Sequence, residues 1–552
     1  MNFFENEKRL IVVLILVSGL LFFVGLGRMA LTDPDEVFYA ETAREMHNRG
    51  EFLTPRIFGQ PQFEKPPLYY WLVALSFGAF GVNEFSARLA SVIFGIFGVL
   101  GVYFLGKILI SKRAGFLAGI VLATNIKYVI LARACVTDMV LCVFILYAFL
   151  CFFYGHLSNS KGTKWYLLSA VFLGLSVLTK GPIGIFLPFV ITAIYLICTR
   201  ESGKLKKIPF AKCILLFLAV SLPWYILMYR THGKEFIDMF FGFHNIIRFL
   251  EPEHKIGDVF YYYFPATLAG FFPWSAFLPI GIWQIIREKD IKIRKTNIFL
   301  VAWVLVIFVF FSISRTKLPT YTFPIYPALA LFMGRLLEVL FKGGLTRRQT
   351  KGMGVLTGIL FVSITAGLAV LYVALKGRYP SLINAALLAG SLFAALMAVS
   401  AWHIFRKRYA RGLAIYIASF VFFLSLLSVS VLYEIGKYES SKNVSKKILS
   451  MARPDEMIGA ETHYRRGVAF YTKRENIPDI HAHDAMTGFF EKRERVWGVI
   501  KEKNYNQLYD DKNQPYDSPS YMMYKFGKKV IITNKLLPGE TYIKKKGKHA
   551  TR

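Results

Sequence analysis

Three stretches near the start of the chain decide how the rest is read: LIVVLILVSGLLFFVGLG at 10–27, DPDEVFYAETAREM at 33–46 and FEKPPLYYW at 63–71. The first carries no charge and, as a helix, is long enough to cross the roughly 30 Å of hydrocarbon in a bilayer. The other two crowd acids and bases directly behind it, Asp35, Glu36, Arg44, Glu64 and Lys65 among them. Lipid-facing helices would not tolerate that density of charge. The loop therefore belongs at an interface or inside a cavity, and we read it as the edge of an active site.

Outward from this loop, apolar segments of similar length recur as far as Leu432. About thirteen spans are expected, near 10–27, 84–107, 113–131, 136–155, 164–179, 182–199, 209–229, 263–286, 297–314, 320–341, 352–374, 382–404 and 411–432. Residues 68–80 are apolar but short, which suits an interfacial or re-entrant helix. Of the 552 residues, 55% are hydrophobic and 16% aromatic, a fraction that soluble chains of this length rarely reach. The fold class is a polytopic α-helical membrane protein. Lys8 and Arg9 give the first segment a signal-like start, but no small-residue cleavage site follows and it is read as a retained helix.

The formal net charge of +32 would suggest nucleic acid in a soluble chain. Here the basic residues gather in short loops such as Lys107/Lys112/Arg113, Arg287–Lys295 and Arg406–Arg411, which alternate with less basic ones. That pattern places the basic loops in the cytoplasm and makes anionic membrane lipids, not nucleic acid, the expected partner. The first loop, residues 230–262 and everything after about Glu434 then face outward, with the chain in the cell inner membrane and its tail periplasmic. No G-x-x-x-x-G-K-[ST] phosphate loop is present. Chemistry on the outer side usually needs a lipid-carried donor. The five cysteines, all in or beside apolar segments, read as buried small hydrophobes.

The tail changes character. Turn signals at Pro454-Asp455, Pro478-Asp479 and Pro515-Tyr516-Asp517 separate strand-like runs such as Met457–Ala460 and Val530–Thr533 from helical stretches. The expected division is a transmembrane domain over 1–433, with outer loops 28–83 and 230–262 forming the site, and a soluble α/β domain over 434–552.

Each candidate group has a plain reading beside the chemical one. Asp35 and Glu36 provide a carboxylate for proton transfer or charge stabilisation, or else Asp33 or Asp35 caps a helix running through Tyr39 and Met46. Lys65, held by Pro66 and Pro67, suits a phosphate-like leaving group, or snorkels from an interfacial helix. Asp138 at the start of a span needs a partner or water, and Arg133, five residues back, is one candidate. His244 ligates a metal, perhaps with Glu64, or is simply hydrogen-bonded. Lys317-Leu318-Pro319-x-Tyr321 and Lys180-Gly181-Pro182 place further polar groups at outer turns. Acids, lysines and tyrosines from several loops converge on one side of the membrane, as a catalytic cavity requires.

Together these residues carry a resemblance. Asp35-Glu36-x-x-Tyr39-Ala40-Glu41-x-x-Arg44-Glu45-Met46, Pro55, Phe63-Glu64-Lys65-Pro66-Pro67, Ala132-Arg133…Thr137-Asp138, His244…Arg248-Phe249 and Lys317-Leu318-Pro319-x-Tyr321 stand in this order in the chain. The pattern resembles the lipid A aminoarabinose transferase family, polyprenyl-phosphosugar-dependent GT-C glycosyltransferases related to the protein O-mannosyltransferases. The likeness covers about residues 10–340. It implies a GT-C fold with a periplasmic α/β cap, catalytic roles for Asp35 and Asp138, and phosphate binding by Lys65. It further implies substrate contacts from Tyr39 and Tyr321, and metal contacts, a structural zinc, at Glu64 and His244, with no cofactor required. The family commonly has Arg before the first-motif Tyr, where this chain has Phe38; a donor-phosphate contact is then either missing or supplied from elsewhere, such as Arg44 or Lys317, a departure that bears on the sugar more than on the reaction type. The implied reaction moves a sugar, 4-amino-4-deoxy-L-arabinose first among candidates, from undecaprenyl phosphate to lipid A. The alternatives are another sugar passed to lipopolysaccharide core or protein, and a lipid flippase, for which the one-sided clustering of ionisable residues speaks less well.

Overall fold

The computed structural model describes residues 4–551 except 159–161, 252–258, 260, scattered positions from 345 that become most of 357–382, and 407, 482, 508–519 and 544–548. The chain divides into two compact units. One comprises Met1–Leu26, Phe63–Tyr69 and Arg88–Val431; the other comprises Gly27–Gln62, Tyr70–Ala87 and Leu432–Arg552.

The first unit is helical: α1 (Glu7–Phe23), most of α4 (Glu84–Leu109), α5 (Lys112–Ala123), α6 (Ile126–Ala132), α7 (Asp138–His156), α8 (Thr163–Lys180), α9 (Ile183–Cys198) and α10 (Phe210–Ile237), with further helices to Val429. Among the described residues seven helices are long and apolar enough to cross a membrane, or nine if two bent pairs each count as one. The bent pairs are the expected spans 113–131, broken by 68° between α5 and α6, and 263–286, broken by 109°. Asn125 caps α6 by accepting from Tyr128 N, so a polar residue within the apolar run restarts the helix at a new angle. Helix α1, of 17 residues, sits at the lower end of spanning length, and α9, of 16, just under it. The expected span 352–374 lies largely outside the described residues.

Close helix packing depends on missing side chains. A Cβ on Gly106 of α4 would lie 2.6 Å from the Cα of Gly115 on α5, so the two backbones touch. Helix α7 is buried along nearly its whole length and forms the centre of this unit. Cys135, Cys142 and Cys151 are buried as expected of small hydrophobes, but Cys198 is exposed and Cys213 partly so. Both lie on α9 and α10, whose outward faces also present Ile197 and Ile214, and an apolar solvent imposes no burial on either.

The second unit is built on a four-stranded sheet. With the short hairpin β1 (Arg56–Ile57) and β2 (Gln60–Pro61) counted first, the sheet holds β3 (Met457–Ala460), β4 (Val496–Lys501), β5 (Tyr521–Phe526) and β6 (Lys529–Thr533) in the order β3-β4-β6-β5. Strands β3 and β4 are parallel and the other pairs antiparallel. Alternation along the strands sends Trp497, Val499 and Ile531 to one core, Val496, Ile500, Val530 and Ile532 to the other.

The expected boundary near 433 separates these residues differently from the contacts, because the first loop folds with the tail. Its helix α2 (Asp35–Arg49) packs against helix Thr462–Thr472, Arg49 pairs with Glu475 at 2.5 Å, and Leu31 N donates to the Tyr471 hydroxyl at 2.7 Å. The loop's polar groups require partners, and the polar tail supplies them. Within α2, Arg44 grips Glu41 through two hydrogen bonds of 2.7 and 2.6 Å, with both side chains essentially enclosed. Burial pushes the Glu41 carboxyl up, against the pull of Arg44. Breaking such a pair on one side leaves a buried charge. Arg44→Met is expected to destabilise the unit by about 3–5 kcal/mol, and Glu41→Gln in the same chain to recover most of that. Thermal melts of the purified protein in detergent check both; equal melting temperatures for Arg44→Met and wild type would show that the pair is unimportant.

Candidate functional site

The site of the first unit begins with two helix ends. Asp138 opens α7 and Lys180 closes α8, and the Lys180 Nζ lies 2.6 Å from Asp138 Oδ1. Each charge complements its own helix dipole, an acid at an N-terminus and a base at a C-terminus. Gly181, at φ +84°, then reverses the chain, and Pro182 starts α9. Asp138 is only 7% exposed, so a partner is obligatory. That partner is Lys180 and not Arg133. The Arg133 guanidinium instead donates to the carbonyls of Leu21, Phe22 and Val24 at 3.0, 3.1 and 2.7 Å, closing the C-terminal end of α1.

The opposite wall comes from the segment after α10. At Gly233, φ is +59° and the helix breaks; the chain continues as a π-helical segment, Asp238–Ile247, and one turn, Arg248–Leu250. The wider winding is a common device at functional sites. It presents His244, Asn245 and Arg248 to a cavity of about 550 Å³ that Lys65, Asp138, Lys180 and Tyr321 also line. The remaining wall is apolar, with Phe186, Phe241, Phe249, Phe310 and Phe311. The Tyr321 ring lies under the Lys180 ammonium, 5.3 Å from its centroid.

Lys65 is held by its neighbours. Its Nζ donates to the Glu64 carbonyl at 3.1 Å, and Glu64 Oε2 in turn lies 3.9 Å from Arg248 Nη1. Enclosure by protein lowers the Lys65 pKa to about 8; Arg248 and Lys180 push it down further while Glu64 and Asp138 oppose. Three cations and few acids in an apolar cleft suit an anionic head group carrying a hydrocarbon tail. An ammonium near its titration point can hold a phosphate as charge develops there.

The other expected residues are distributed as follows. Lys317 is buried and donates to the Ser312 and Ser314 carbonyls at 2.9 and 2.7 Å, capping the helix that ends at Ile313. Asp35, Tyr39 and Arg44 belong to the second unit, all on α2. Asp35 is exposed at the first turn, whereas Glu36 is buried and its Oε2 accepts from both Thr32 N and Thr32 Oγ1 at 3.0 Å. The cap position of the helix falls on Pro34 and carries no side-chain cap bond, so neither Asp33 nor Asp35 is the cap residue. Tyr39 packs its ring against Phe38 and Tyr70, and Arg466 stacks over Phe38 at 4.5 Å. Arg44 is committed to Glu41.

Glu64 and His244 were the expected metal contacts. Among the described residues no group of three or more His, Cys, Asp or Glu side chains could hold a metal ion. Structural zinc takes four protein ligands and catalytic zinc three. Glu64 and His244 alone do not reach that number. Lys180 and Arg248 also line the cavity, although the sequence alone assigns neither a substrate contact. The signal for Lys180 was present, a lysine closing an apolar helix before Gly-Pro; for Arg248 only the π-helical winding reveals the direction.

Residues 64–227 match the family model of dolichyl-phosphate-mannose-protein mannosyltransferases. An uncharacterized protein of Aquifex aeolicus (strain VF5) is 32% identical over 334 residues, covering 59% of this chain and 73% of that protein. The undecaprenyl phosphate-alpha-4-amino-4-deoxy-L-arabinose arabinosyl transferase of Enterobacter sp. (strain 638) is 30% identical over 326 residues, 58% of each chain. The chain spans less than two thirds of the length of most of the curated relatives it matches. The crystal structure of ArnT from Cupriavidus metallidurans bound to undecaprenyl phosphate aligns with a TM-score of 0.80 at 21% identity, over 96% of this chain and 99% of that one. At that identity the likeness speaks for the fold. Multiple apolar helices, a shared fold and the matched sequence lead to one conclusion: the chain is a membrane protein with the GT-C fold of ArnT, similar in sequence to the aminoarabinose transferases and, over residues 64–227, to the protein mannosyltransferases.

Proposed function

We propose that the protein is a glycosyltransferase of the cell inner membrane that moves a sugar, 4-amino-4-deoxy-L-arabinose first among candidates, from undecaprenyl phosphate to lipid A. The observation that carries this reading is the cavity that sets Lys65, Lys180 and Arg248 against a wall of phenylalanines. Its chemistry matches a phosphate on a polyprenyl chain, and the Enterobacter relative bears the corresponding name. In the transfer, the bond between the sugar's anomeric carbon and the lipid phosphate oxygen breaks, and its electron pair stays on the phosphate. Lys65 and the neighbouring cations stabilise that charge. An acceptor oxygen forms the new bond. A lipid A phosphate is already largely anionic at neutral pH and releases no proton; a hydroxyl acceptor would give its proton to a carboxylate.

The motif assigns that carboxylate to Asp35, on the exposed first turn of α2, with Asp138 orienting Lys180. Tyr39 and Tyr321 complete the substrate contacts. Arg44 and Lys317, already held by Glu41 and by two carbonyls, are left out of them. About thirteen spans, with the tail on the periplasmic side, complete the proposal. Phe38 offers no charge to the donor, and its face is covered by Arg466. This observation favours a second reading, in which the sugar differs from aminoarabinose. Incubating purified protein with defined undecaprenyl phosphosugars and lipid A, then weighing the lipid A by mass spectrometry, tests both: no mass gain with any donor would refute transfer.

Three outcomes are expected. Because burial and two cations hold the Lys65 pKa near 8, below the ordinary lysine value, its charge is present below that pH and lost above it. The kcat/KM of transfer is expected to fall as pH rises through about 8, and Lys65→Arg to remove that fall at a plateau roughly tenfold lower. A fall near 8 that persists in Lys65→Arg would assign the titration to another group.

Asp35→Asn keeps size and hydrogen-bonding capacity but removes the charge, and is expected to lower kcat by about 10²–10⁴-fold with normal folding. Glu36→Gln, which weakens the Thr32 turn, should lose activity far less. Equal losses in the two variants would count against Asp35.

Finally, reporter domains fused after residue 440 are expected to be active only when the reporter works outside the cytoplasm. Cytoplasmic activity would invert the topology and, with it, the side on which the donor is met.

A further inference from the structure

Asp33 lies two residues before Asp35 and is used by nothing local. Its side chain is fully enclosed, and Oδ2 is 3.5 Å from the Nζ of Lys529 on β6, itself 4% exposed. The Ser441 hydroxyl donates to the same oxygen at 2.6 Å. Lys529 also donates to the carbonyls of Tyr438 and Ser440 at 2.9 and 2.6 Å, and its ammonium lies 5.1 Å from the Tyr464 ring. The backbone joins in, Asp33 N donating to the Glu439 carbonyl at 3.1 Å. From the helix Thr462–Thr472, Gly467 approaches so closely that a Cβ there would fall 2.1 Å from Asp33 Oδ1. A strand, a loop and a helix of the tail thus converge on one residue of the first loop.

A carboxylate in such a place is expensive. Burial pushes it up to about 7, with Lys529 and Ser441 pulling the other way. An apolar pair of similar volume would serve stability as well or better. What an enclosed ion pair adds is a single permitted geometry: sliding α2 by one residue would unpair both charges.

We infer that Lys529 is a positioning residue for the transfer, setting through its ion pair with Asp33 the entry of α2 and thereby the place at which Asp35 is held. The inference rests on the reading of Asp35 as the catalytic carboxylate. Small displacements of a reacting group matter greatly, about 10²-fold in rate for one ångström.

The test uses the full chain in lipid nanodiscs, with two readouts: hydrogen exchange of peptides covering residues 28–50, and kcat together with the donor KM. Lys529→Met is expected to speed exchange in α2 and to lower kcat by about tenfold or more while the donor KM stays within about twofold. The double variant Asp33→Asn/Lys529→Met removes both charges and should restore slow exchange and most of kcat. Ser441→Ala deletes one hydrogen bond and keeps the pair, so it remains readable if Lys529→Met fails to fold; about threefold lower kcat with faster exchange is expected. Wild-type kcat in Lys529→Met, or in Ser441→Ala if that variant alone folds, overturns the positioning role, as does a lost kcat with unaltered α2 exchange. Asp35→Asn separates the two readings. If it is inactive while Lys529→Met is fully active, only the positioning role has failed; if it transfers at the wild-type rate, the active-site reading has failed first.

Discussion

A charge placed among apolar helices must find its opposite, and the first unit is arranged around one such meeting, Lys180 with Asp138 at 2.6 Å. The pair joins the C-terminal end of α8 to the N-terminal end of α7, a helix enclosed along nearly its whole length. Each residue also suits the dipole of its own helix. The glycine and proline that follow Lys180 turn the chain at once into α9, so one ion pair sets the ends of three helices. The cavity opens beside that junction.

The balance of charge there has a chemical consequence. Asp138 answers Lys180, and Glu64 approaches Arg248, which leaves a cleft that is cationic on balance between aromatic walls. Water would be displaced from such a wall by any hydrocarbon chain, and the cations would then act through a medium of low dielectric. Phosphate recognition and lipid recognition are therefore not separate functions of this site. The lowered pKa of Lys65 follows from the same circumstance: crowding that makes a bound phosphate favourable makes an unbound ammonium less so.

The second unit answers a different need. The loop after α1 is too polar to fold against apolar helices, and its acids and bases are satisfied by the tail, Arg49 by Glu475 and Asp33 by Lys529 and Ser441. A boundary drawn where hydropathy falls, near residue 433, separates what the contacts join. The hydropathy change marks where the solvent changes along the chain. It carries no information about which distant segment shares a core.

Local properties were legible in the residues alone. The apolar runs became helices because length and composition are local quantities, and the breaks inside two of them occur where polar residues or prolines interrupt the pattern. The charged loop as a separate body of chemistry was equally local. The partners were not. Asp138 passed over Arg133, five residues away, for Lys180, forty-two away, because Arg133 was needed by three open carbonyls at the end of α1. The direction of Arg248 depends on a π-helical winding that no periodicity announced. Sequence determined where charges stand along the chain, since membrane insertion reads hydropathy segment by segment. Only the tertiary structure decided which charges meet, because the cost of burying one depends on everything that encloses it.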